Sequence, residues 1–333
     1  MPTLCAGLVL STLLTACSTF AQPQGRHLSP WVVYQGEGTI DVLRAHADAI
    51  KSISVCGGPP KAFVDQCHEL GIEVYFLVGI GGHDGDQFST PEKRTELVAG
   101  YLQRARDHGY DGIDMDYESL DRSCRDDYSA LLREITQAFH ADGRKVTMCV
   151  SYIMSTWRTS GEDPGPPGEI DGGWFDPAVV GQICDQVRVM CYDMISPSGG
   201  AVGPVSTKPW ARDAMAFWAT HTPIDRLVMG IPAYSRDFKL VYGRTADSLY
   251  GPVPQVPEGT DVRKIWMPYE QIHQYQYADA DGVMHVFYAS DEASTKAHLE
   301  TAAELGISAI SFWHFGAVTP ESWDVVNAWL KGQ

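Results

Sequence analysis

Eight short apolar runs, separated by helix-like segments over roughly 280 residues, predict an α/β fold: a (β/α)8 TIM barrel with a small insertion after strand 7. A third observation gives that barrel an orientation. In Asp111-Gly-Ile113-Asp114-Met115-Asp116-Tyr117-Glu118, apolar and acidic residues alternate with the period of a pleated strand whose two faces meet different surroundings. A doubly wound open sheet is the alternative arrangement of the same elements.

Residues 1–21 read as an export signal. Leu4 to Ala16 is almost wholly apolar or small, is too short to span a bilayer, and is followed by polar residues. Leu14-Thr-Ala-Cys17 has the form of a bacterial lipoprotein cleavage site, which would leave Cys17 as a lipidated first residue. Ordinary cleavage after Ala21 is the rival, and the lack of Lys or Arg before the apolar stretch fits neither form well. The expected location is therefore exported, either secreted or lipid-anchored in the cell envelope. Residues 25–333 then form a single barrel domain with its insertion at about 236–286.

The strands follow in order. Trp31-Val-Val-Tyr34-Gln35 is the first, Ile53-Ser-Val-Cys56 the second and Glu73-Val-Tyr-Phe-Leu-Val-Gly79-Ile80 the third. After it, Thr90 as N-cap, Pro91 at the first helical position, and Leu97, Val98, Tyr101 and Leu102 at helical spacing predict a helix. The acidic run is the fourth strand. Tyr128, Leu131, Leu132, Ile135 and Phe139 then mark a helix closing near Gly143. Val146 to Ser151 is the fifth strand and Gln186 to Tyr192 the sixth, with a Pro- and Gly-rich loop from Gly161 to Gly173 between them. Arg226 to Pro232 is the seventh. Ile307 to Trp313 is the eighth, after a helix from Thr295 to Leu305 that stops at Gly306.

Composition narrows the function. The chain of 333 residues is 44% hydrophobic and 11% aromatic, enough to bury a sizeable core, and its formal net charge is −17. Such a surface does not suit nucleic acid or an anionic membrane, both of which require Lys and Arg. A neutral ligand suits it better, although acidity also serves solubility alone. Beyond the export signal, no stretch is apolar and long enough to cross a bilayer. Two of the eight cysteines fall in or beside the signal. The other six permit 15 disulfide pairings; Cys56 with Cys67 and Cys124 with Cys184 are the expected ones, while Cys149 and Cys191, inside apolar strands, read as buried thiols. No zinc-type spacing occurs.

The acidic strand carries the chemistry. Asp114, Asp116 and Glu118 share one strand face about 6–7 Å apart, an arrangement that local stability does not favour. Crowding means that they cannot all be ionised comfortably, so one should keep its proton near neutral pH and be available as a general acid. A solvated acidic edge strand and a hard-cation site are the competing readings, the second weakened because every acid lies on one strand. In a barrel, residues at the carboxyl ends of strands form the active site, which places Glu118 at the mouth with Asp116 and Asp114 behind it. The insertion holds Tyr242, Tyr250, Trp266, Tyr269, Tyr275 and Tyr277; these rings either stack on sugars along the cleft or fill the insertion's own core.

Asp111-x-x-Asp114-x-Asp116-x-Glu118 on a fourth strand resembles the signature of glycoside hydrolase family 18, the chitinase family. Gly79-Ile-Gly81-Gly82, Met190-Cys-Tyr192-Asp193, Gly230-Ile-Pro232-Ala-Tyr234-Ser-Arg236 and Trp313 extend the resemblance in order, from about Trp31 to the C-terminus. The short insertion and the pattern around Asp111, Val189 and Met229 are most similar to the di-N-acetylchitobiase branch.

The resemblance implies a glycosidase that cuts β-1,4 bonds beside N-acetylglucosamine, as in chitin oligosaccharides, by a substrate-assisted retaining mechanism. Peptidoglycan and N-glycan cores are rival substrates, and a non-catalytic glycan-binding protein is the alternative from another class. Glu118 would be the acid and base. Asp116 would hold the acetamide nitrogen, Asp114 would share a proton with Asp116, and Tyr192 would donate to the acetamide oxygen. Trp313 would floor the sugar site, with Asp193, Met190, Tyr34, Tyr234 and Arg236 as further substrate contacts. No cofactor or metal is expected, and the chain is expected to be a monomer whose partner is an N-acetylglucosamine-containing glycan. Two departures stand out. Gly79 replaces a frequent Ser, and His314-Phe315-Gly316 lacks the acidic residues common after the tryptophan.

Overall fold

The computed structural model describes residues 25–79, 85–118, 120–151, 173–195, 201–241 and 245–332. The expected export signal with Cys17, the Ile80-Gly81-Gly82 part of the third-strand motif, most of the 161–173 loop and Tyr242 lie outside the described residues.

A nine-stranded parallel sheet forms the centre. Its strands are β1 (His27–Leu28), β2 (Trp31–Val33), β3 (Ser52–Cys56), β4 (Glu73–Val78), β5 (Gly112–Met115), β6 (Lys145–Ser151), β7 (Gln186–Met190), β8 (Leu227–Pro232) and β14 (Ala309–Trp313). Each of the eight expected runs is a strand of this sheet. The spatial order is β1-β14-β8-β7-β6-β5-β4-β3-β2, so its two ends are consecutive pieces of one strand interrupted at Pro30. Proline has no N–H to offer a ladder, which accounts for the break. Around it the Ser29 N–H donates to Ile310 O at 2.8 Å, the Trp31 N–H donates to Ser311 Oγ at 3.2 Å, and Ser54 N–H donates to Pro30 O at 2.9 Å. These contacts tie the first strand to both neighbours, and the curled sheet closes into the predicted barrel.

Helices α1 (Gly38–Arg44), α2 (Lys61–Glu69), α3 (Pro91–His108), α4 (Arg125–Ala141), α5 (Pro177–Ile183), α6 (Lys208–Ala219), α7 (Glu292–Glu304) and α8 (Pro320–Leu330) surround it. Their ends follow local chemistry. Thr90 Oγ1 accepts the Lys93 N–H ahead of Pro91, and α3 stops at Gly109, whose φ of 76° is the left-handed conformation glycine adopts freely. Thr207, Asp291 and Thr319 cap α6, α7 and α8 in the same way. The main core lies between strands and helices: Ile113, Met115 and Tyr117 of the acidic segment pack there with Tyr128, Leu131, Leu132, Ile135 and Phe139 of α4. Asp114 and Asp116 therefore face the barrel axis.

One polar clamp occurs twice. Asp111, just before β5, accepts from the Val74 N–H at 2.7 Å and pairs with His68 Nε2 of α2 at 2.8 Å. Asp185, just before β7, accepts from the Val146 N–H at 2.8 Å and pairs with His140 Nε2 of α4 at 2.8 Å. Each clamp ties a helix end, the strand after that helix and the next strand together at the foot of the barrel. The first aspartate of the acidic motif is thus structural.

Between β8 and α7 runs a separate antiparallel sheet of β9 (Ser235–Lys239), β10 (Thr245–Leu249), β11 (Arg263–Met267), β12 (Ile272–Ala278) and β13 (Met284–Tyr288), ordered β10-β9-β13-β12-β11. Tyr275 and Tyr277 are buried within it, whereas Tyr250, Trp266 and Tyr269 are exposed. The expected disulfides are corrected by the structure: Cys56, Cys67, Cys124 and Cys184 are all free thiols. Cys67 and Cys184 sit in the strand–helix core as small apolar side chains, which suffices to explain cysteine there. Cys149 and Cys191 are buried thiols as expected. Among the described residues no helix is long and apolar enough to cross a membrane.

Candidate active site

The site is built on β5 and the residues that continue it. Asp114 lies deepest, fully buried, and both of its oxygens are met by donors. Oδ1 accepts from Thr147 Oγ1 at 2.6 Å. Oδ2 accepts from Ser54 Oγ at 2.5 Å, Trp31 Nε1 at 3.2 Å and Cys149 Sγ at 3.3 Å, and stands 3.3 Å from Arg188 Nε. Three barrel strands besides β5 and β7 thus contribute a donor to one carboxylate.

Asp116, two residues nearer the mouth, is 5% exposed, and its Oδ1 is buried with no hydrogen-bond partner. Burial, then the charges of Glu118 and Asp114, push its pKa up to about 8, against a smaller opposing pull from Cys149 and Arg188. Both effects favour the protonated form of Asp116. Its backbone is fixed as well: the Asp116 N–H donates to Val78 O at 2.8 Å. Gly79 follows with φ of 112°, and a Cβ there would stand 2.3 Å from Tyr117 Cδ1 and 2.6 Å from Asp116 O. No side chain fits at that position, which explains glycine in place of serine.

Glu118 is exposed at the mouth. Its surroundings still remove part of its hydration, and this, with the negative charge of Asp193, raises its pKa. Both effects favour the protonated form that a general acid needs.

The wall opposite comes from the ends of β7, β8 and β14. Trp31, Leu77, Cys149, Tyr192, Val205 and Tyr234 form a buried inner cluster, with Cys56, Met190 and Trp313 packed against it at the open side. Tyr192 meets Trp31 edge-on at 5.9 Å and Tyr234 at 6.2 Å; Trp313 meets Trp31 at 6.4 Å. Asp193 has the wrong strand parity for the pocket, and the chain solves this by turning. β7 ends at Met190, the Cys191 N–H donates to Val189 O, and Asp193 adopts φ of 59°, a conformation that costs an L-residue on the order of 1 kcal/mol. Asp193 Oδ1 then accepts from Tyr234 Oη and Arg236 Nη2. Arg236 Nε and Nη1 remain buried without partners.

The structure thus brings together Asp114, Asp116, Glu118, Tyr192, Asp193, Met190, Tyr234, Arg236 and Trp313. Tyr34 is not among them: its ring packs against Phe63 of α2 at 5.1 Å, on the helix side of the sheet, because it has the outward parity of Val32 rather than the inward parity of Trp31. From the insertion, Tyr250 reaches the site region, its ring 5.1 Å from that of His314 beside Trp313. The sequence reading missed Trp31, Ser54, Thr147 and Arg188. Arg188 had a legible signal, a charge in the middle of Gln186-Val-Arg-Val-Met190 with the parity of Met190. Among the described residues no group of three or more His, Cys, Asp or Glu is placed to hold a metal ion.

The closed parallel barrel carries a ladder of acids that rises to the carboxyl ends of its strands, the end at which barrels of this class build their sites. The chain belongs to Glycosyl hydrolases family 18, whose profile matches residues 63–317. A cortical fragment-lytic enzyme of Bacillus subtilis (strain 168) is 27% identical over 238 residues, 69% of this chain and 52% of that protein. The chain spans about half the length of that relative. Among solved structures, a chitinase from Chromobacterium violaceum superposes with a TM-score of 0.74 at 19% identity, covering 92% of this chain and 99% of that one. The Bacillus cereus spore cortex-lytic enzyme gives 0.75 at 17% identity, covering 92% and 75%. These structural likenesses speak to the fold.

Proposed function

We propose that the protein hydrolyses β-1,4 glycosidic bonds beside N-acetylglucosamine by a substrate-assisted retaining mechanism. The observation that carries this is the buried, partnerless Oδ1 of Asp116, lying between an anchored Asp114 and a mouth-exposed Glu118. A buried polar oxygen without a partner costs about 1–3 kcal/mol, and a substrate amide would relieve it. Glu118 donates its proton to the departing glycosidic oxygen as the carbonyl oxygen of the substrate's own acetamide attacks the anomeric carbon. The bond to the leaving sugar breaks and an oxazolinium forms. Asp116 accepts the acetamide N–H, and Tyr192 donates to its oxygen. Glu118, now ionised, takes a proton from water as that water attacks the anomeric carbon and reopens the ring. Trp313, Met190, Tyr234, Arg236 and Asp193 line the sugar sites in this reading.

Short chitin oligosaccharides are the first substrate to test, in keeping with the resemblance to the di-N-acetylchitobiase branch around Asp111, Val189 and Met229. A second substrate, N-acetylglucosamine-containing peptidoglycan fragments, is favoured by the likeness to the cortical fragment-lytic enzyme. Export, with or without a lipid on Cys17, would bring the enzyme to either polymer, and a monomer suffices for this chemistry. Glu118→Gln is expected to abolish sugar release from both substrates while binding stays within a few-fold of wild type. Retained turnover would refute the assignment, and binding without cleavage by the wild-type chain would point to a glycan-binding protein instead. Product analysis on reducing-end-labelled oligomers distinguishes chain-end from internal cleavage.

A further inference from the structure

A charged side chain lies at the centre of the barrel, where core packing gives it no purpose. Val187 and Val189 of β7 face the helices, so Arg188 between them faces the axis. Its side chain and that of Asp114 are both 0% exposed. The guanidinium is held through its two terminal nitrogens, while Nε makes no hydrogen bond: Nη1 donates to Ser29 Oγ at 2.8 Å and Gln186 Oε1 at 3.3 Å, and Nη2 donates to Ser29 O at 2.7 Å. Its plane lies over the Trp31 ring at 4.7 Å, and Nε stands 3.3 Å from Asp114 Oδ2. Burying two ions costs several kcal/mol each after relaxation, and apolar residues of similar volume commonly fill such a space as well or better. Stability of the core does not select this pair.

We propose that Arg188 is a positioning residue for the acid–base machinery: it holds Asp114 as the carboxylate, so that the single proton of the Asp114–Asp116 pair resides on Asp116, the acid that faces the substrate. The proposal rests on the glycosidase reading above and replaces the shared proton that the family resemblance implies with an assigned one. Two equivalent neighbouring carboxyls would divide a proton between them. Here the geometry removes the equivalence, because Asp114 receives four hydrogen-bond donors and a guanidinium while Asp116 Oδ1 receives none.

The other titratable groups that act on the pair are Cys56 of β3, Glu118 beyond β5, Tyr128 of α4, Cys149 of β6, Cys184 after α5 and Tyr192 after β7, while Tyr75 of β4 acts on Arg188 and Asp193 on Glu118. Burial pushes each of these thiols and phenols up, so none carries charge near neutral pH. Glu118 and Asp193 are acids. Arg188 is therefore the cation that decides between the two carboxyls.

The test is infrared titration of the protonated-carboxyl band in the full chain, with kcat/KM profiles alongside. The wild type is expected to show one buried carboxylic acid at neutral pH that vanishes in Asp116→Asn. Arg188→Met and Arg188→Gln are expected to move its midpoint alkaline by about one pH unit or more, and to move both limbs of the kcat/KM profile the same way. Arg188→Lys, which restores a cation, is expected to bring both readouts back toward wild type. Arg188→Gln keeps a donor for Ser29 and carries the test should the Met variant not fold. An unmoved midpoint in a folded neutral variant overturns the proposal, and so does a band that survives Asp116→Asn and is lost in Asp114→Asn. The infrared readout needs no substrate, so a failure of the glycosidase reading shows separately, as an intact band pattern in a chain that cleaves no glycan.

Discussion

At the scale of single residues, the site works by keeping unlike environments side by side. Burial, and after it the charge of Asp193, raises the pKa of Glu118, while Arg236 and Tyr234 hold Asp193 in place. Removing that charge lowers the pKa of Glu118. Since a general acid is lost as pH rises through its pKa, Asp193→Asn is expected to move the alkaline limb of kcat/KM toward acid, by up to about one pH unit. An alkaline limb that stays in place would mean another group sets it. Asp116 gives a stability prediction of defined sign. Its folded pKa of about 8 lies above the ordinary carboxylate value, so between those two pKa values the folded state binds a proton that the unfolded chain has released. This contribution to stability is fully present below the unfolded pKa and is lost as pH rises through the folded one. Asp116→Asn, which keeps the shape of the neutral acid, is expected to match wild type near pH 4 and to become more stable by up to about 5 kcal/mol toward pH 8, as urea unfolding at a series of pH values would record.

At the scale of elements, β5 is held from both ends, at its foot by the Asp111–His68–Val74 clamp and at its mouth by the close approach of Gly79. Gly79→Ala would combine a left-handed backbone with a Cβ inside contact distance of Tyr117 and Asp116. The expected cost is about 3 kcal/mol, with loss of activity exceeding the loss of folded protein because Asp116 is displaced. A stable, fully active Gly79→Ala would show that the approach of β4 to Asp116 does not matter. The strands themselves were legible because a barrel imposes two apolar faces or one apolar and one functional face, and both leave a pattern in sequence. Tyr34 was misplaced for a related reason: Pro30 interrupts the first strand, and inward parity must be counted from Trp31. The clamps were not legible, since a lone Asp or His before a strand has no periodicity. Apart from the charge at Arg188, the network around Asp114 was equally hidden, because Ser54, Thr147 and Cys149 converge from two strands distant in sequence, and only closure of the barrel joins them. The disulfide expectation failed because an even cysteine count permits pairing without requiring it, while a free thiol packs as a small apolar group.

At the scale of the whole molecule, the excess of 42 acidic over 25 basic residues gives a net charge of −17, and acids also line the mouth in Glu118 and Asp193. Such a field acts differently on the two substrates. A chitin oligosaccharide is uncharged, so its encounter with the cleft is indifferent to salt. Peptidoglycan fragments carry free carboxylates on their stem peptides and are repelled at long range. Raising ionic strength from about 0.01 M to 0.15 M shortens the screening length from roughly 30 Å to 8 Å, which removes most of that repulsion. Under the proposed function, kcat/KM on chitin oligosaccharides is expected to stay within about twofold over this range, while kcat/KM on anionic fragments rises several-fold, the change appearing in KM rather than kcat. A fall with salt on the anionic fragments would instead require a local cationic track along the cleft that outweighs the net charge. Arg236, buried with Nε and Nη1 unpaired beside Asp193, is where such a track would begin, and Arg236→Met would then abolish the salt response along with the binding.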